Sequence, residues 1–209
     1  NVYDQNRQQM ERARWYTHPL VSCFVDDCLA RGRDIDHGGA KYAFIESSFV
    51  GMANLVDALY AIDQLVYREK RLTLAQFGQI LRENFAGNEP LRQHILNGIP
   101  KYGNDEPEID ALFRRMTEWI TEEMARYRTW HGSRFVPSMF CWIMHERLGT
   151  ATGASADGRL AGFPLGDGSG PAQGREHHGP TASILSSTCW NHEKFIGGIA
   201  VNLKFSKKL

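Results

Sequence analysis

The hydrophobic patterning of the chain predicts an α/β fold, helix-rich through its first two thirds and made of loops and strands beyond. Three observations carry that prediction. Apolar residues recur at helical spacing through 49–66 and again through 109–124. The period changes near residue 135, where 135–143 is aromatic and β-branched, as suits a strand. Finally, Ile199, Val201, Leu203 and Phe205 alternate with Ala200, Asn202 and Lys204, the pattern of a half-buried strand.

The opening region, 1–47, reads as loop-rich. Asp26 or Asp27 offers a cap for a short helix, and Gly32, Gly38 and Gly39 then break the periodicity. The region 48–130 reads as helical. A helix over 48–68 is predicted by Phe49, Met52, Leu55, Val56, Leu59, Ile62, Leu65 and Val66, a stripe wide enough to imply burial around much of the circumference. Thr73 and Gln76 form a capping box for a second helix over 73–85, carrying Leu74, Phe77, Ile80, Leu81 and Phe85. Pro90 suits the first turn of a third, which Gly98 ends. Asp105 and Pro107 start a fourth over 107–126, with Ile109, Leu112, Phe113, Met116, Ile120 and Met124 inward. The region 131–209 reads as loops and strands, with Pro137 limiting the first ladder. No repeat is visible, and 1–209 reads as a single partial domain.

Lysine plus arginine balances aspartate plus glutamate at 24 each, which leaves no electrostatic footprint for nucleic acid or an anionic membrane surface. No apolar run reaches the length of a membrane span and no signal-peptide pattern opens the chain, so a cytoplasmic setting is expected. The four cysteines do not form a disulfide framework. A metal site at Cys23 and Cys28 needs two more ligands, with only His18 and His37 nearby. All four cysteines therefore read as buried or partly buried thiols, and no metal ligand is assigned.

The stretch DGRLAGFPLGDGSGPAQGREHHGPTAS, 157–183, holds seven glycines and three prolines between two regions of globular text. It is no phosphate cradle, because no lysine followed by Ser or Thr succeeds a glycine. The dinucleotide fingerprint fails too, since Gly168 and Gly170 are followed by Gly174 rather than a glycine at 173. Nor is it a plain linker, because Asp157, Arg159, Leu160, Phe163, Leu165 and Asp167 stand between the glycines. A long loop inside a domain must pair its backbone groups, so a fixed, internally bonded wall is the better reading. His177 and His178 read as surface or loop-anchoring residues, Glu122 and Glu123 as a solvated helix face. Ser183, Ser186 and Ser187 lie in no nucleophile elbow.

Four segments, in this order, carry a resemblance: HPLVSCFVDDCLARGRDIDHGGAKY, PKYGNDEPEID, HERLGTATGASADGRLAGFPLGDGSGP and GPTASILSST. From about His18 to Phe205 the chain resembles the glycyl radical enzymes related to pyruvate formate-lyase. The resemblance implies a ten-stranded α/β barrel of two half-barrels surrounded by helices. Inside it a loop glycyl radical oxidises a loop cysteine, which abstracts hydrogen from the substrate. The family's cysteine setting, Gly-Cys-x-Glu-like, matches none of Cys23, Cys28, Cys141 or Cys189, and no Arg-Val-x-Gly-Tyr-like radical motif occurs. The chain thus resembles an internal segment between the two radical residues, with no catalytic residue of its own and no activity alone. Ala43, Ala156, Phe163 and Gly166 depart from family usage and bear on the subfamily, not on membership.

The resemblance implies radical C–X cleavage of a small polar metabolite by a dehydratase or other eliminase. Formate C-acetyltransferase and arylacetate-type decarboxylase are the alternatives, and a non-catalytic structural or interaction protein is the alternative from another class. It implies no cofactor bound by the segment itself, a glycyl radical installed by a radical S-adenosylmethionine activating enzyme, and a homodimer. GPTASIL would enter the barrel as a strand on which Thr181, Ser183 and Leu185 line the substrate cavity, with Ala182 and Ile184 turned into packing. The competing reading makes Thr181 a turn residue after Pro180.

Overall fold

The computed structural model describes residues 4, 7, 8, 11, 12, 15–203 and 205. Among these residues it is helix-rich, with one two-stranded sheet. The chain falls into two units, Asn1–Ser47 with Ile120–Pro137, and Ser48–Trp119 with Ser138–Leu209.

The first unit is short-element text, as its glycines predict. It contains α1 (Pro19–Ser22), α2 (Cys28–Arg31), a 3-10 turn (Ile35–His37), and strand β1 (Phe44–Ser48) paired with β2 (Arg134–Ser138), each strand running to the unit's boundary. Asp27 is the N-cap of α2 but makes no side-chain capping bond. Its carboxylate pairs instead with Arg31 at 2.6 Å, a partner one turn along the same helix. Asp34 ties the unit's loops together, accepting from the His18 amide at 2.7 Å and the Ser22 hydroxyl at 2.9 Å.

In the second unit, the stripe predicted over 48–68 forms two conformations: α3 (Met52–Ile62), which begins after Gly51, and a π-helical stretch (Asp63–Arg68). The face it buries differs from the expected one. Met52, Val56 and Leu65 are inside, but so are Asn54 and Asp57, while Leu55 and Leu59 are 41% and 36% exposed. Burying Asn54 and Asp57 is tolerable because both find partners in other segments: Asn54 bonds Asp157 and the Gly166 amide, and Asp57 the Tyr102 amide.

The remaining helices stand close to where the spacing predicts, although the second ends at Arg82 rather than at 85 and its Leu74 is 53% exposed. The Thr73–Gln76 capping box is present in full ahead of α4 (Leu74–Arg82), whose Phe77 is buried. Pro90 sits in the first turn of α5 (Glu89–Gly98), with Ile95 and Leu96 buried. In α6 (Pro107–Met124), Ile109, Phe113 and Ile120 are buried and Leu112 is half-buried.

The strands depart from expectation. β2 stops at Ser138, and the chain turns into α7 (Met144–Thr150) after Trp142 adopts a positive φ of 52°. Past Gly198, the alternating run makes a single parallel bridge, Met139 with Ile199, instead of a strand. Its Val201, Leu203 and Phe205 stay 38%, 36% and 63% exposed, and Lys204 lies outside the described residues. The barrel the resemblance implies is not visible in these two strands.

Candidate functional site

The segment KYGND, 101–105, clasps the glycine-rich wall. Tyr102 is fully buried, its ring stacked on Phe113 with centroids 4.0 Å apart. Its hydroxyl donates to the carbonyls of Ser169 at 3.0 Å and Ser186 at 3.2 Å. Burial pushes the phenol well above its usual range, which keeps it a donor. Asn104 grips the same wall from its other side chain atoms. Its Oδ1 accepts the amides of His177 at 2.7 Å and His178 at 3.0 Å, and its Nδ2 donates to the carbonyl of Arg175 at 2.8 Å. The histidine pair is thereby anchored through its backbone.

The wall is bonded internally as well. Arg159, only 8% exposed, donates to the Ser155 hydroxyl at 3.2 Å and to the carbonyls of Leu160 at 3.1 Å, Phe163 at 2.7 Å and Gly153. Asp157 accepts from Ser155 at 2.5 Å and from Asn54 at 2.6 Å, and Arg92 reaches the Gly158 carbonyl at 2.9 Å. At Gly158, φ is 94° and an added Cβ would come within 2.6 Å of Leu96 Cδ2, so only glycine lets the wall lie against α5. Gly168, at φ 66°, faces the carbonyl of Ala200 with no room for a side chain.

Beneath the clasp lie buried charges. Asp57 is fully buried, and burial pushes its carboxyl up to about 7 despite the opposing pull of Lys101 and the Tyr102 amide. Lys101 is 3% exposed, and burial lowers its ammonium against the pull of Asp57 and Asp157. Both shifts drive the pair toward its neutral form. Among the described residues, Asp57 Oδ2 and Lys101 Nζ have no hydrogen-bond partner.

On the wall's far stretch, a cavity of about 350 Å³ is lined by His145, Asp167, Gly170, Pro171, Gln173, Glu176, Asn202 and Leu203. Cys141, buried, donates to Asp167 Oδ1 at 3.1 Å and lies 3.9 Å from His145 Nδ1. Burial, then the bond to Asp167, raises this thiol, and burial raises Cys189 to about 11, so neither is a poised thiolate. Cys28 is buried and Cys23 exposed. A second cluster, His18 with Asp34 and Asp36, is more open and closes on an ordinary His18–Asp36 pair at 2.6 Å.

The expected site residues do not lie on a strand. GPTASILSS forms α8 (Gly179–Ser187), with Pro180 in its first turn. Thr181 and Leu185, four apart, fall on the exposed side, while Ser183 is 1% exposed and its hydroxyl donates to the Gly103 carbonyl at 3.1 Å. Ala182 is buried as expected, but Ile184 is 46% exposed and not turned into packing. Ser183 and Ser186 both bind the clasp, Ser186 accepting the Asp105 amide at 2.9 Å and donating to Asp110 at 3.1 Å. Only a helical period brings 182, 183, 186 and 187 to one face.

Residues 2–149 match a family described as PFL-like, Pyruvate formate lyase-like. The chain is 35% identical over 195 residues to the Probable dehydratase YbiW of Escherichia coli (strain K12), covering 90% of this chain and 24% of that protein. A crystal structure of hydroxyproline dehydratase from Clostridioides difficile, with trans-4-hydroxy-L-proline bound, superposes with a TM-score of 0.88 at 31% identity. The overlap covers 94% of this chain and 25% of that one. A glycyl radical enzyme from Archaeoglobus fulgidus also superposes with a TM-score of 0.88 at 31% identity, over 95% of this chain and 25% of that chain. The chain thus spans about a quarter of the length of the relatives it matches.

Proposed function

From the premise that this chain belongs to the pyruvate formate lyase-like family of glycyl radical enzymes, we propose that it is the wall-forming segment of a cytoplasmic dehydratase or related eliminase. The substrate is a small polar metabolite from which a C–X bond is cleaved. One relative, at 35% identity, is named a probable dehydratase and another, at 31%, a hydroxyproline dehydratase, which favours elimination over acetyl transfer or decarboxylation. The observation that carries the reading is the clasp. The segments PKYGNDEPEID, the glycine-rich wall and GPTASILSST, which bear the resemblance, are joined by buried hydrogen bonds through Tyr102 and Ser183 and by part-buried ones through Asn104. A radical reaction needs a site closed to water, and a wall pinned at this many points supplies rigidity.

The family's glycyl radical supplies the hydrogen-atom chemistry when installed by its activating enzyme. This chain's own residues bound and orient. Thr181 and Leu185 share the open side of α8, and we assign them to the substrate-facing surface, in a homodimeric parent within the ten-stranded barrel. Ser183, spent on the Gly103 carbonyl, holds the helix in place. Apolar surface left open on the second unit supports a larger protein around this segment: Leu55 at 41%, Trp142 at 77% and Ile143 at 76% exposure. The segment by itself is expected to be inert.

The test is anaerobic activation of the full-length protein by a radical S-adenosylmethionine activase, with the glycyl radical read by electron paramagnetic resonance. Small diols and hydroxylated amino acids are then assayed for dehydration products. The expected result is a radical signal and turnover of at least one hydroxylated substrate. Turnover confined to pyruvate with coenzyme A, or to an arylacetate, would transfer the reading to the alternatives. A radical that forms with no turnover in any class would favour a non-catalytic role. Thr181→Val should change kcat or substrate preference and leave the radical signal intact.

A further inference from the structure

We propose that Cys141, His145 and Asp167 form a binding site for a divalent cation of the zinc class, separate from the clasp and from the exposed face of α8. Their ligand atoms, Sγ, Nδ1 and a carboxylate oxygen, all lie within 4.8 Å of one another. The Sγ–Nδ1 and Sγ–Oδ1 separations are 3.9 and 3.1 Å. A tetrahedral ion with Zn–S of about 2.3 Å and Zn–N of about 2.0–2.1 Å places such atoms about 3.5 Å apart. The observed values straddle that distance, so side-chain shifts of a few tenths of an ångström suffice.

The donor set selects the ion. Thiolate, imidazole and carboxylate together favour Zn²⁺ over Mg²⁺ or Ca²⁺, which demand oxygen. The surroundings resemble the outer support that such sites need. Asn202 donates to Asp167 Oδ2 at 2.5 Å, which fixes the carboxylate and aims Oδ1 at the sulfur. With no ion bound, the Cys141 thiol donates its proton to Asp167 Oδ1 in a hydrogen bond. Binding therefore exchanges the Sγ–H bond for a metal–sulfur bond and releases one proton to solvent.

Position gives the site a task. Cys141 and His145 stand at the entrance to α7, whereas Asp167 belongs to the glycine-rich wall, 22 residues beyond His145. The ion would clip the wall to α7 beside the bond already made from the Leu165 amide to the His145 carbonyl at 3.1 Å. His145 and Asp167 also line the cavity, so a fourth position is left to water or a small anion entering it.

The test uses the full-length protein, reduced and stripped of metal, titrated with Co²⁺ as a spectroscopic probe and with Zn²⁺ in competition. One equivalent of Co²⁺ should bind with a near-ultraviolet thiolate-to-cobalt charge-transfer band that Zn²⁺ abolishes, and Zn²⁺ should raise Tm. Cys141→Ser should remove the band and the shift in Tm, while Cys23→Ser and Cys189→Ser keep both. Asn202→Ala should weaken Zn²⁺ binding about 10–100-fold, as loss of an outer support does. Absence of the band in the wild-type protein overturns the proposal whatever the variants do. So does a band that survives Cys141→Ser.

Discussion

Replacing Arg159 by methionine tests whether the glycine-rich wall is held by its one buried guanidinium. Methionine keeps roughly the apolar stem of arginine, ends where the guanidinium would begin and removes every donor. Of the carbonyls this side chain reaches, Phe163 at 2.7 Å and Gly153 receive short bonds, and those to Leu160 at 3.1 Å and Thr152 at 3.4 Å are longer. A bond from a charged donor contributes about 1.5–3 kcal/mol, so losing the two short ones costs about 3–6 kcal/mol. The longer two are left out as the weaker contacts. The loss should be local, since Asp157 keeps its bonds from Ser155 and Asn54. Hydrogen exchange is the suitable assay, read at the amides of Ser155, Gly158 and Gly162, whose partners Arg159, Ser155 and Thr152 lie in the wall or just before it. At a tenfold change per 1.4 kcal/mol, their exchange should accelerate about 10²–10⁴-fold, with the α5 amides little changed. Exchange in the wall within threefold of wild type would refute the idea that Arg159 holds it.

Three further predictions follow from burial and charge. Tyr102→Phe should cost about 1–3 kcal/mol, because it strips the donor from the carbonyls of Ser169 and Ser186, and a denaturant midpoint that does not move would contradict this. Leu55→Ala should change the stability of this chain by no more than about 0.5 kcal/mol, whereas Phe113→Ala should cost about 3–5 kcal/mol; equal effects would mean the buried face of α3 is misassigned. Asp57 carries a folded-state pKa near 7 against about 3.9 when unfolded, so the folded chain binds the extra proton in between. Its contribution to stability is then full below about pH 4 and lost as pH rises through about 7, and Asp57→Asn should flatten that fall in midpoints measured across the range.

Where apolar spacing and capping chemistry agree, the sequence is a good guide. The capping box at Thr73, the proline in the first turn of α5 and the inner face of α6 all stand where the residues put them. It misleads at α3, because apolar spacing counts Leu55 and Leu59 as interior and has no means to see that Asn54 and Asp57 meet buried partners 45–112 residues away. Long-range pairing of polar groups overrides local patterning there. The same limit applies past Gly198. Alternation describes a strand only if a neighbour receives its backbone, and here the ladder reduces to one bridge with Met139. The internally bonded wall was legible in the anchors between its glycines, though Arg159 and Asp157 could not be ranked above Leu160 or Phe163 without their partners.

The candidate site shows what kind of signal was present and unread. In GPTASILSS the apolar letters are few, so period-two and period-3.6 readings both fit hydropathy. Residue size decides between them. Ala182, Ser183, Ser186 and Ser187 are small and sit at i, i+1, i+4 and i+5, which is a helical period, and all four are buried. Small residues let a helix approach closely, and the two inward serine hydroxyls bonded to the clasp, Ser183 donating to Gly103 and Ser186 accepting from Asp105, replace the contacts a large apolar side chain would make there. Cys141 and His145 show a milder version of the same thing. Their four-residue spacing is visible in the sequence, but Asp167, which completes the cluster, lies 22 residues beyond His145 and has no periodic relation to it. Such a set becomes readable only once the wall is known to fold back on α7, and the glycines that permit that return carry no chemistry of their own.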